Sequence, residues 1–151
     1  MKRFKFKLET LLNIKIQKED LIRIKLAAEI KRLDYENKKL DLLLCEKQKQ
    51  IENYMELLNC GIVVSKIKEY NSYIFQLAKR IEEQKLNINV IEKNVDKIRS
   101  ELVDISRERK IIEKLKAKKL MAFRVEVLKE EQKAIDEIIS YRYNPGLVGS
   151  G

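Results

Sequence analysis

Apolar residues recur through the second half of the chain in alternating steps of three and four. From Ile67 the positions are Ile67, Tyr70, Ile74, Leu77, Ile81, Gln84, Ile88, Ile91, Val95, Ile98, Leu102, Ile105, Arg109 and Ile112. Only Gln84 and Arg109 break the apolar or aromatic pattern. A 3.5-residue repeat held this long predicts a coiled-coil seam, because an isolated amphipathic helix needs no so strict a period. The first half supplies a partner stripe: Leu26, Ile30, Leu33, Asn37, Leu40, Leu44, Lys47, Ile51, Tyr54 and Leu58. Asn37 and Lys47 are its polar positions, of the kind that fix register at a cost in stability. Further back, Leu12 and Ile16 fit the period, whereas Glu19 and Arg23 do not.

Between the stripes lies "NCGIVVS", residues 59–65. Asn59 and Gly61 tolerate the left-handed conformation that ends helices, and Ser65 is a candidate N-cap for the next one. So short a connection favours antiparallel neighbours. The expected fold is all-α: a two-helix antiparallel coiled-coil hairpin, with helices over about 5–58 and 66–142. The expectation is one domain over residues 1–143, with 144–151 as a flexible tail or cloning remnant. If Leu58 lies near Ile67, facing residue numbers total about 125, and Leu12 falls near Ile112. The clean stripe ends where the first helix runs out. Residues from about 117 to 143 then overhang by roughly 40 Å of helix.

That overhang keeps a loose apolar row at Leu120, Phe123, Val127, Ala134 and Ile138, widened by Leu128, Ile135 and Ile139. Such a row either frays, self-associates or docks another protein as a helix in a groove. Nearer the turn, Leu42, Leu43, Tyr73 and Phe75 fall outside the seam and suggest a second contact patch.

Composition sharpens this picture. The chain has 151 residues with four Gly and one Pro, and before Asn144 the only breaker is Gly61. Charged residues make up 38% and the formal net charge is +9. The basic excess is spread along the chain, apart from a cluster at Lys2, Arg3, Lys5 and Lys7, so it reads first as a solvated surface. Cys45 and Cys60, on or near one helix, stand roughly 20 Å apart, too far to bridge, and are expected as free thiols. No catalytic site, cofactor or metal site is expected. The chain has no His, no glycine-rich phosphate loop and no cysteine pair at zinc spacing. No secretory signal is expected, and no apolar run reaches membrane-spanning length.

The opening "FKFKLETLLNIK", residues 4–15, resembles the start of the FliJ family of flagellar export proteins. The stretch "ERKIIEKLKAKKLMAFRVEVLKEEQKAIDEI", residues 108–138, resembles that family's C-terminal half, and Tyr70, Tyr73, Ile74 and Leu77 match its middle. The resemblance implies a cytoplasmic, nonenzymatic component of the flagellar type III secretion apparatus, associated with the inner-membrane export apparatus through its partners. It implies an antiparallel coiled coil like the central stalk of rotary ATPases. The implied partners are the hexameric export ATPase, the cytoplasmic domain of the export gate and substrate-specific export chaperones. Terminal-motif matches expected at the ATPase are Phe6, Leu8, Leu11, Leu12, Lys15, Glu113, Lys114, Phe123, Glu131, Gln132, Asp136 and Glu137, joined by Val127 from the overhang row. Leu43, Tyr73 and Phe75 are the expected export-gate contacts. Because its seam is satisfied within the chain, the protein alone is expected to be monomeric, with no specific nucleic-acid site. The competing readings are a scaffold hairpin of another system, and a basic rod for nucleic acid or anionic membrane, whose binding would fall steeply with salt.

Overall fold

A computed structural model describes residues 2–61 and 63–143. Two helices account for most of them: α1, Glu9–Cys60, and α2, Val64–Tyr143. The connection is tighter than the sequence suggested. Asn59 is still helical, Gly61 follows α1 directly, and α2 begins before Ser65. Gly61 has φ of 79°, the left-handed region that only glycine enters without strain. At the start of α2, Val63 O accepts from Lys66 N at 3.0 Å and Ile67 N at 3.3 Å, so Val63 stands at the cap expected for Ser65. The expectation for residues 144–151 lies outside the described residues.

The chain divides into two compact units. Unit 1 contains residues 1–17 and 105–151, and unit 2 contains residues 18–104. Within unit 2 the helices run antiparallel. Tyr54 stacks near Tyr70, with ring centroids 6.0 Å apart. Gln84 Nε2 donates to Glu36 O at 2.9 Å and to Glu36 Oε2 at 2.6 Å. Within unit 1, Lys15 Nζ reaches Glu108 Oε2 at 2.7 Å and Lys116 Nζ reaches Glu9 Oε2 at 2.8 Å. In all four pairs the numbers total the expected value or slightly less.

On α2 the sequence period is the packed face. Leu77, Ile81, Ile88, Ile91, Val95 and Ile98 are buried in unit 2, and Ile105 and Ile112 in unit 1. Each is a seam position, so their burial supplies most of the apolar driving force.

On α1 the structure selects a different face. Leu26, Leu33, Leu40, Lys47 and Tyr54 face inward as expected, but their alternates do not. Ile30 is exposed, as are Asn37, Leu44 and Leu58. Glu29, Glu36, Leu43, Gln50 and Leu57 take those places and are half-buried. Ile51 alone of the expected alternates is half-buried too. The step order is thus three-then-four where four-then-three was expected, a rotation of about 100° at every second position. Polar pairing explains the choice. Gln84 interrupts the α2 seam, and its half-buried amide needs an acceptor. Glu36 supplies both a carboxylate and a backbone carbonyl, whereas Asn37 on the alternative face lies exposed. Leu43 is therefore a seam residue, not an outer one.

Glu19, which broke the sequence period, is 2% exposed. A buried carboxylate requires a charged or hydrogen-bonding partner, and Arg23, one turn on, donates to Glu19 Oε1. Ile16, which fitted the period, is 37% exposed.

The register invites a direct check. With native cysteines replaced, the pair Leu12→Cys and Ile112→Cys should bridge, as should Leu33→Cys with Ile91→Cys. A disulfide spans at most ~7 Å between Cα atoms, so pairs offset by a heptad should remain reduced. Gel mobility without reductant distinguishes the outcomes.

Candidate docking surfaces

Unit 1 carries the first candidate surface. The repeat "FKFKL" alternates with period two, the pattern of extended backbone and not of helix. Residues 2–6 are accordingly non-helical, and α1 starts a turn later than the periodicity alone suggested. Phe4 and Phe6 are half-buried while Lys5 and Lys7 are exposed. The segment forms a strap along α2. Phe4 packs on Phe123 with centroids 5.6 Å apart and planes tilted by 52°, a contact worth ~0.5–1.5 kcal/mol beyond its buried area. Lys2 Nζ pairs with Glu130 Oε1 at 3.0 Å. The hydrogen bond and charge of Glu130 raise the Lys2 pKa above its ordinary 10.5, with Glu126 adding to the effect. At the hinge, Glu9 N donates to Phe6 O at 3.2 Å.

The strap corrects the picture of a wholly unpaired overhang. It covers the first part of the face that continues the α2 seam, around Phe123 and Val127, which are half-buried. Beyond Glu130 the cover stops, and every residue from 131 to 143 is exposed. Ala134, Ile138 and Tyr141 border an open cleft on the continuing face.

A second stripe occupies the opposite face of the same segment. Met121, Val125, Leu128, Gln132, Ile135 and Ile139 follow steps of four and three, and the five apolar members are 46–68% exposed. The sequence reading absorbed Leu128, Ile135 and Ile139 into a single broad row. Only the strap, by occupying one side, separates the two faces.

The expected ATPase contacts divide by position. Phe6 and Phe123 belong to the strap contact region. Leu8, Leu11 and Lys114 are exposed, and so are Glu131, Gln132, Asp136 and Glu137. Gln132 Nε2 donates to Asp136 Oδ1 at 3.1 Å. Leu12 is 4% exposed and packs in the seam, so it holds the fold rather than offering a surface. Lys15 is engaged with Glu108, and Glu113 with Arg109 at 2.8 Å.

The turn-proximal patch lies in unit 2. Leu42 and Phe75 are 71% and 72% exposed, and Tyr73 is partly exposed. Tyr73 Oη donates to Glu46 Oε1 at 3.3 Å. With Leu57, Lys66, Glu69 and Tyr70 it lines a shallow cleft of about 300 Å³. Leu43 leaves the proposed patch for the seam, as described above.

Among the described residues no His, Cys, Asp and Glu side chains cluster to hold a metal, and no described helix is long and apolar enough to cross a membrane. Cys45 and Cys60 are free and exposed. The class these residues define is an all-α antiparallel hairpin with exposed apolar stripes. The chain belongs to the flagellar FliJ protein family, whose family model matches residues 4–146. It is thereby a component of flagellar type III export. A solved chain from Chlamydia trachomatis, described as the YscO homolog CT670, is similar at 26% identity and TM-score 0.49, over 97% of this chain and 95% of that one. No curated protein matches.

Proposed function

We propose that the protein is a nonenzymatic adaptor of flagellar export that docks on the export ATPase through the α2 overhang and contacts the export gate through the turn-proximal patch. The observation that carries this reading is the exposed α2 segment after Glu130. It keeps Ile135, Ile138, Ile139 and Tyr141 in solvent at 46–66% exposure. Apolar helix faces of this kind fit a groove on another protein. Membership of the flagellar FliJ protein family supports an export machine as the setting. In this reading the protein works in the cytoplasm, reaches the inner membrane only through its partners, and helps recycle export chaperones.

Stimulation of a purified flagellar export ATPase by the full chain tests the reading. Absence of both binding and stimulation would reject it in favour of a scaffold hairpin. For the second contact, Tyr73→Ala and Phe75→Ala should each weaken binding to the export gate's cytoplasmic domain severalfold, as truncation of partly exposed interface aromatics does. Neither residue is buried, so the thermal midpoint should hold. Unchanged gate affinity in both variants, measured by calorimetry, would remove the patch from the proposal.

A further inference from the structure

The outer stripe of the overhang has the spacing of a coiled-coil seam, and its flanking charges are arranged to match themselves. Taking Val125, Gln132 and Ile139 as a positions and Met121, Leu128 and Ile135 as d positions, the e positions include Lys129 and Asp136, and the g positions include Arg124 and Glu131. The flanks are therefore basic in the N-terminal half of the stripe and acidic in the C-terminal half.

We propose that this face pairs with the same face of a second copy, antiparallel, in a short two-stranded coiled coil centred near Glu130. In that arrangement e faces e and g faces g, so Lys129 meets Asp136 of the other copy and Arg124 meets Glu131. Each attraction occurs twice by symmetry. Met121 layers on Ile139, Val125 on Ile135 and Leu128 on Gln132, which satisfies the a-to-d layering of antiparallel coils. A parallel pair would instead set g against the next e. Arg124 would then face Lys129, and Glu131 would face Asp136, like charges in both cases. Lys129 and Glu131 also lie one residue from the axis, across from their own counterparts, but the attractions to Asp136 and Arg124 leave the antiparallel order favoured over the parallel one. The strap does not obstruct the pairing, because Phe4 lies on Phe123, on the other side of α2.

The expectation of a monomer counted only the seam inside the chain. The outer stripe is a separate, shorter surface, so the self-association it supports is weak and concentration-dependent. The pairing buries Ile135 and Ile139, which the proposed ATPase docking also uses, so the dimer and the docked chain are alternative states of this face. Under reducing conditions, which keep Cys45 and Cys60 from bridging, sedimentation velocity of the full chain should show a monomer–dimer equilibrium. Arg124→Glu should weaken the dimer at least ~10-fold, because two attractions become two repulsions. Adding Glu131→Arg to that variant should restore it. Both sites are exposed helical positions, and circular dichroism verifies the fold. A chain that stays monomeric up to ~1 mM overturns the proposal. Tighter dimers with Arg124→Glu would overturn it in favour of parallel pairing. So would a dimer of undiminished affinity after removal of residues 131–151.

Discussion

Removing residues 131–151 should abolish stimulation of the export ATPase while leaving both units folded. The cut falls after Glu130, so it spares the Lys2–Glu130 pair and the Phe4–Phe123 contact. Every described residue it removes is exposed, so no buried position in either unit is lost. The deleted segment nevertheless carries Ile135, Ile138, Ile139 and Tyr141. If two of these act as interface anchors, each worth ~2 kcal/mol, affinity falls by roughly 1,000-fold. ATPase turnover against adaptor concentration reads the effect. A truncated chain that still stimulates at full strength moves the docking surface elsewhere. A truncated chain that melts early shows instead that the segment belongs to the fold.

The second large effect concerns the seam. Leu77, at 2% exposure the most enclosed leucine of unit 2, should lose ~2–5 kcal/mol of stability on replacement by Ala, through lost burial and the cavity left behind. The neighbouring helix offers a sharper comparison. Leu43 and Leu44 are adjacent, chemically identical, and assigned opposite roles by sequence and structure. Leu43→Ala should cost more than ~1 kcal/mol, whereas Leu44→Ala, at 42% exposure, should stay within about half of that. Urea unfolding midpoints for the two variants decide it. A larger loss from Leu44→Ala would restore the face first read from the sequence. It would also dissolve the account of Gln84 and Glu36 as the pair that sets the rotation of α1.

The strap changes how the ends of the chain are understood. The expected start of the first helix, near residue 5, falls inside "FKFKL". The signal for the observed form was present in the strict alternation of Phe and Lys. Such a segment is stable here only against a surface, and that surface is more than a hundred residues away. The same distance hid the division of the overhang into two faces. A list of apolar positions from 120 to 139 cannot tell which side is already covered.

What the sequence determined by itself is α2, the reversal at Gly61 and the antiparallel register. These follow from local rules: a strict 3.5-residue period, one permissive glycine, and a count of residues from the turn. The resemblance of residues 4–15 and 108–138 to the flagellar FliJ family likewise lay in the residues, and the match over 4–146 established it. The tertiary structure alone decided the face that α1 presents, the burial of Glu19 and the placing of the strap. On α1, two faces share Leu26, Leu33, Leu40, Lys47 and Tyr54, so apolar counting favours whichever alternates are more hydrophobic. The folded chain weighs another term, the cost of leaving the Gln84 amide unpaired inside the seam. Glu36 removes that cost by accepting from Gln84 at 2.6 Å, and Asn87 Nδ2 approaches the same oxygen at 3.4 Å. A hydrogen bond between residues 48 apart leaves no trace in local periodicity, which is why the rotation of α1 could be settled only once both helices were in place.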